Sequence, residues 1–153
     1  MFAGGICRLG AGVKVGYMSQ EQELFEPGSN ALLTFQSLSG CNKTEARTYL
    51  HKYLFIGDAV FTPVELFSYG QRARLSLACL VVQGCNLLLL DDPLNHLDLP
   101  SRTQFESALL GFSGSVLTIT LDRYFIQRYA THPWEMREGN FSSRVWYSKS
   151  III

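Results

Sequence analysis

At 153 residues, 47% apolar and 17% charged, the chain has the composition of an ordinary globular protein and is far from the disordered class. A chain of this length can bury roughly two-thirds of its unfolded surface, enough for one core without disulfide or metal support. Lys plus Arg is 13 and Asp plus Glu is 13, so no net field draws nucleic acid, acidic membrane or acidic substrate, and any such partner must meet a local patch.

Cys7, Cys41, Cys79 and Cys85 form no CxxC pair and read as buried or free cytosolic thiols. His51, His96 and His132 are too scattered for a zinc site. Met1 to Cys7 has no basic residue ahead of a long apolar run, so no secretory signal is expected. Gln83, Gly84 and Asn86 interrupt the most apolar region, Leu75 to Leu90, which therefore cannot supply the ~20 apolar residues of a membrane span. The expectation is a soluble, cytoplasmic protein.

From Arg8 to Ser19, Val13, Val15 and Tyr17 alternate with Lys14 and Gly16, with Gly10 and Gly12 as turn residues, and a short hairpin is predicted. After Pro27-Gly28, Ser29 can cap a helix carrying Leu32, Leu33, Phe35 and Leu38, which Gly40 ends. Asn42 and Glu45 have capping-box spacing ahead of a second helix with Ala46, Tyr49, Leu50, Tyr53 and Leu54 on one face. Gly57 and Pro63 mark a loop. Ser68 and Gln71 then form a Ser-x-x-Gln box opening a third helix that stops near Gly84.

Leu87 to Leu90 is a wholly apolar run ended by Asp91-Asp92-Pro93, as expected for a strand buried on both faces of a parallel sheet. Asp98 can cap a helix carrying Phe105, Ala108, Leu109 and Phe112, and Ser115 to Thr120 is the next strand. Strand, helix and strand in that order imply a right-handed parallel crossover. A last helix from Asp122 to about Ala130 and a hairpin around Gly139-Asn140 follow.

Ligands of open parallel sheets bind at the carboxyl ends of the strands, where Asp91 and Asp92 lie. Two adjacent carboxylates there can hold Mg²⁺ and orient water on a phosphate, or can simply begin a solvated loop. The start of the third helix offers free N–H groups, a positive dipole end and the Ser68 hydroxyl to an anion; equally, Ser68 and Gln71 can be caps and nothing more.

Taken together, Phe67-Ser68-Tyr69-Gly70-Gln71, a helix, Leu87 to Pro93 and Asn95-His96-Leu97-Asp98 resemble, in order, the signature motif, Walker B strand and D-loop of ABC ATPases. The Asn-His-Leu-Asp form, with Gly16-Tyr17-Met18-Ser19-Gln20 upstream and Asp122-Arg123-Tyr124-Phe125 downstream, resembles the ABC-F subfamily, whose members carry two ATPase domains and act on ribosomes. The likeness runs over residues 8–141 and implies an α/β fold, a partial P-loop NTPase domain. Its expected parts are a hairpin and Q-loop over 8–20, a helical subdomain over 29–84, Walker B, D-loop and switch region over 85–141, and an unassigned tail over 142–153.

By that resemblance, ATP and Mg²⁺ are the cofactors. Gln20 touches the metal and senses the γ-phosphate. Ser68, Gly70 and Gln71 face an ATP held by a second ABC ATPase domain, Asp91 helps hold Mg²⁺, Asp92 stands where the family has a glutamate base, and Asp98 lies at the interface between the domains. Arg72 and Arg74 read as a solvated face. The implied partners are that second domain or a missing front half, and ribosomal RNA.

Departures from the family pattern bear on activity. No GxxxxGK[ST] follows Gly4-Gly5 or Gly10-Ala11-Gly12, so the likeness covers only the later part of one domain, which is expected to be inactive alone. Asp92 is one methylene shorter than glutamate, retracting the carboxylate by ~1.5 Å. Leu121 stands where a switch histidine is expected, and Tyr69 replaces a signature glycine, with the prospect of a different backbone there. The strand resembling Val116 to Thr120 lacks its neighbour, so an open apolar edge is expected, with self-association or a need for a second polypeptide. The alternatives are a non-hydrolysing module that completes a partner's ATP site, or the ATPase subunit of a membrane transporter, which the Asn-His-Leu-Asp form argues against.

Overall fold

The computed structural model describes residues 6, 8–20, 25–137, 140–143 and 151–152. Five strands form one sheet in the order β1 (Val15–Met18), β2 (Leu87–Asp91), β3 (Ser115–Ile119), β7 (Ile151–Ile152) and β4 (Ala130–His132), every pairing parallel. A separate antiparallel hairpin joins β5 (Trp134–Arg137) to β6 (Asn140–Ser143). It is the hairpin expected near Asn140; Gly139 itself lies outside the described residues.

The helices form where their caps dictate. α1 (Ala31–Ser39) starts from Asn30, whose side chain accepts from Leu33 N, rather than from the expected Ser29, and ends at Gly40 with φ +66°. α2 (Lys43–His51) carries the complete Asn42/Glu45 box, and α3 (Tyr69–Val82) the complete Ser68/Gln71 box. α4 (Leu99–Leu110) is capped by Asp98, with Pro100 in its first turn, and α5 (Arg123–Tyr129) is capped by Asp122. Such caps satisfy amides that the helix itself leaves unpaired, each worth about 1 kcal/mol.

Asn86 aligns the sheet at its amino end. Its side chain accepts from Lys14 N (2.8 Å) and donates to Gly12 O (2.8 Å), while its own N–H donates to Lys14 O (2.9 Å) and its carbonyl accepts from Ser115 N (3.0 Å). One residue thereby sets β1, β2 and β3 in register. The expected hairpin over residues 8–19 is not formed: only Val15–Met18 is a strand, and it pairs in parallel with β2, because Asn86 holds the segment around Gly12 and Lys14 against β2.

The face of the sheet turned toward the helices is closed. Met18, Leu88, Leu90, Val116 and Thr118 are buried there with Ala73, Leu75, Leu77, Phe105 and Phe125. The other face is not closed. Leu87, Leu89 and Leu117 are only half-buried, Tyr17 is 55% exposed and Ile119 is 71% exposed. The apolar run Leu87 to Leu90, expected to be buried on both faces, is buried on one.

The edge of β3 departs from expectation too. Ile151–Ile152, in the tail that the sequence left unassigned, forms β7 and pairs with Val116 and Leu117. The edge is therefore partly filled by the chain's own end, and it remains without a described partner at Thr118 and Ile119.

Between the last helices, the Tyr129 hydroxyl donates to Glu106 Oε2 at 2.6 Å in a buried contact that ties α5 to α4. Burial, then this bond, push the Tyr129 phenol up to about 12. A phenol with a raised folded-state value stabilises the fold fully below its unfolded value near 10 and loses that contribution as pH rises from there to about 12. Thermal unfolding followed from pH 8 to 11.5 is expected to show the midpoint falling above about pH 10, with a shallower fall in Tyr129→Phe.

Candidate functional site

Three strand ends meet on the carboxyl side of the sheet. Met18 pairs with Leu90, and Asp91 pairs with Ile119, so Gln20, Asp91-Asp92 and Thr120-Leu121 emerge side by side. Asp91 and Asp92 are half-buried, Gln20 is exposed and Leu121 is 93% exposed. By strand alternation Asp91 shares the open face with Leu87 and Leu89.

Asp92 is held from β3. Its N–H donates to Ile119 O at 2.9 Å, and its Oδ1 accepts from the Thr120 hydroxyl at 3.3 Å. Thr120 Oγ1 in turn accepts from Asp122 N at 3.1 Å. Asp92 has φ +43° and His96, four residues on, has φ +61°. Asp and His tolerate this region better than most residues, and backbone strain of ~1–3 kcal/mol is characteristic of functional turns. The turn folds the chain back so that Asn95 to Asp98 run beside the start of α3.

At that start, Ser68 N donates to Gln71 Oε1 (2.9 Å) and Gln71 N to Ser68 Oγ (3.2 Å). Ser68 is exposed and its hydroxyl hydrogen is left to donate outward; the Tyr69 and Gly70 amides belong to the unpaired first turn. Tyr69 does not distort this turn: its φ is not positive and the box is intact, so the backbone change expected of a glycine replacement is not found. Its ring instead packs against His96, with centroids 5.4 Å apart.

Two further contacts tie α3 to α4 and to the segment after α2. A Cβ added to Gly70 would lie 2.5 Å from both Cβ and Oγ of Ser101 in α4. Arg74, expected on a solvated face, is 6% exposed. Its Nε donates to Gly70 O (3.2 Å), its Nη1 to Tyr53 O (3.4 Å), and its guanidinium lies 5.7 Å from the Phe55 ring centroid. Arg72 is half-buried. Asp98, exposed at the start of α4, is held below the usual carboxylate range by the Ser101 side chain and amide, then by Arg74.

Sequence reasoning missed Thr120, Arg74 and the Arg102–Asp122 ion pair that joins α4 to the cap of α5. Arg74 was recoverable, since it stands four residues from Gly70 and from Ala78 on the buried side of α3. Thr120 was not, because nothing local distinguishes it.

The donors gathered here, the Gln20 amide and the Asp91 and Asp92 carboxylates, are hard oxygen ligands of the kind Mg²⁺ takes. They are too few for six-coordination, so other oxygens, from phosphate or water, must complete it. Among the described residues no group of three or more His, Cys, Asp and Glu gathers as a metal cluster. Nor does the sequence supply a GxxxxGK[ST] phosphate cradle. The site fits a metal that arrives with a phosphate ligand held partly by other residues.

A parallel sheet with acids at its strand ends and helices over one face defines an α/β domain with a partial P-loop NTPase fold. Residues 8–95 match the family described as ABC transporter, and the chain belongs to that family as part of an ABC ATPase domain related to ABC-F proteins. It is 42% identical over 137 residues to the YdiF protein of Bacillus subtilis, covering 89% of this chain and 21% of that one. It is 34% identical over 152 residues to the energy-dependent translational throttle protein EttA of Mycobacterium tuberculosis, covering 94% and 27%. It is 37% identical over 95 residues to ABC transporter F family member 2 of Arabidopsis thaliana, covering 62% and 14%. The chain thus spans about a quarter or less of the length of these relatives. No helix among the described residues is long and apolar enough to cross a membrane.

The Gly70–Ser101 approach makes a specific demand. Gly70→Ala is expected to cost about 1–3 kcal/mol in urea unfolding, the range for an added methyl in a packed contact. Ser101→Gly in the same chain should restore most of that loss.

Proposed function

We propose that this chain supplies one part of an ATP site, the signature helix and the acidic strand end, to a site completed by a second ABC ATPase domain or by a front half carrying the phosphate loop. The observation that carries the reading is the packing of the Ser68 end of α3 onto the loop that leaves Asp91 and Asp92, through Tyr69–His96, and onto α4, through Gly70–Ser101. These contacts support the reading, since they tie the first turn of α3 to the loop after β2 and to α4, and a helix N-terminus with free amides can take an anion.

In this reading the Ser68 hydroxyl and the first-turn amides of α3 bind phosphate oxygens of ATP held by the partner, with Gln71 fixing the Ser68 backbone. Gln20 and Asp91 are the residues that would hold Mg²⁺, whose role when bound is to offset phosphate charge. Asp92, steadied by Thr120, orients water, and its carboxylate stands ~1.5 Å short of where a glutamate would place it. Displacements of that order can cost ~10²-fold in rate. Leu121 offers no hydrogen-bond donor, and loss of one such donor costs ~10²–10³-fold. Both substitutions favour slow hydrolysis or none, the behaviour of a module that completes a partner's site without cleaving. Asp98, exposed beside this tip, faces the partner domain.

The cellular setting proposed is the ribosome in the cytoplasm, supported by relatives that include a translational throttle protein. The purified chain at millimolar Mg-ATP is expected to release phosphate no faster than a blank. Release that disappears in Asp92→Asn would contradict the reading. Co-sedimentation with ribosomes is expected and should fall as salt rises; its absence at low salt would remove the ribosomal part.

A further inference from the structure

The chain's charges balance overall, so a polyanion can be met only where they are locally uneven. α2 is such a place. Lys43, Arg47 and Lys52 lie on it or at its end against the single acid Glu45, whose carboxylate is turned back to accept from Asn42 N at 3.1 Å. Ala46 and Leu50 bury the inner side, and the outer face carries Lys43, Thr44, Arg47, Thr48 and His51, all exposed.

Lys43 and Arg47 stand at i and i+4, where two like charges meet one turn apart and cost the helix stability. Among the described residues neither is ion-paired. Both instead converge on Phe61, at the end of the 3-10 turn Gly57–Phe61, with Lys43 Nζ 5.1 Å and Arg47 Cζ 5.7 Å from the ring centroid. The ring attracts cations through its quadrupole, so it gathers the two side chains without neutralising them. Asp58 is the only acid of that turn, and it pairs with neither.

Lys43, Arg47 and His51 follow one another at four-residue steps, so they climb about 6 Å at a time along one side of the helix. Successive phosphates of a nucleic-acid strand have a similar spacing. Thr44 offers its hydroxyl to a phosphate oxygen, and Thr48, whose hydroxyl donates to Thr44 O at 3.0 Å, keeps lone pairs for a sugar hydroxyl. The outer face of α2 has no apolar residue and therefore lacks the stripe with which a helix enters a membrane surface.

We propose that this face of α2, with Phe61 gathering Lys43 and Arg47, binds the phosphate backbone of single-stranded RNA. The choice of RNA rests on the ribosomal part of the proposed function; the surface rests on the geometry of α2 and Phe61 and needs no nucleotide at the ATP site. Contact is with backbone, so binding is indifferent to base sequence.

The test titrates the full chain by anisotropy against a labelled single-stranded RNA of about 20 nucleotides, longer than the ~4–16 that one single-strand site covers, at salt from about 50 to 200 mM. Lys43→Gln/Arg47→Gln is expected to bind about tenfold more weakly, with a log–log salt slope shallower by about 1.4, two phosphates at ~0.7 each. Phe61→Leu keeps both charges and is expected to bind about threefold more weakly, the loss of an exposed cation–π contact. Arg123→Gln/Arg128→Gln removes as many charges from α5 and is expected to leave binding intact.

Unchanged affinity in the α2 variant, or an equal loss in the α5 variant, overturns the surface. Unchanged affinity in Phe61→Leu overturns the role of the ring. Polyglutamate that displaces the RNA at equal charge concentration overturns RNA as the partner in favour of an acidic protein, and no RNA binding at the lowest salt overturns the proposal as a whole. Ribosome co-sedimentation by the α2 variant equal to that of the unaltered chain also overturns the surface and leaves the ribosomal reading standing. If the unaltered chain does not co-sediment, the ribosomal reading fails and the RNA titration still decides this inference.

Discussion

A parallel sheet whose helix-bearing connections all step in one direction is roofed by those helices on one face only. That constraint governs this molecule. It gathers α3, α4 and α5 over Met18, Leu88, Leu90, Val116 and Thr118, and it leaves Tyr17, Leu89, Leu117 and Ile119 without a described cover. It also brings the carboxyl ends of β1, β2 and β3 out side by side, so that Gln20, Asp91-Asp92 and Thr120 share one rim. The open face and the candidate site have the same origin, and whatever closes the first stands next to the second.

The rim and the helix tip are rigidly joined. Gly70 admits the approach of Ser101, Arg74 spends its donors inside the protein on Gly70 and Tyr53, and Tyr69 lies against His96. Buried arginines persist when their N–H groups are matched, as two are here by carbonyls. The result is a pair of elements, the start of α3 and the acidic end of β2, held on secondary structure by packing.

Much of this was legible in the residues. The capping boxes at Asn42 and Ser68, the cap at Asp98, the glycine stop at Gly40 and the strand Leu87–Asp91 were all readable because each depends on neighbours within four positions. The order of motifs gave the family, which residues 8–95 match. What the sequence could not disclose was long-range. Residues 8–19 alternate as a hairpin strand does, yet Val15–Met18 pairs with a strand 72 residues away in register. Leu87 to Leu90 is apolar throughout although one side is uncovered, since the sequence of a strand does not say whether its partner face is present. Arg74 reads as surface because arginine usually is, although its spacing from Gly70 and Ala78 puts it on the buried side of α3, where it meets Gly70 and Tyr53.

In the proposed reading the residues described here contribute acids and a helix tip, and the phosphate cradle lies outside them. Equilibrium dialysis of the isolated full chain against Mg-ATP puts this to the most direct test. No saturable binding is expected up to millimolar nucleotide. Saturable micromolar binding by the chain alone, abolished by Asp91→Asn, would contradict it.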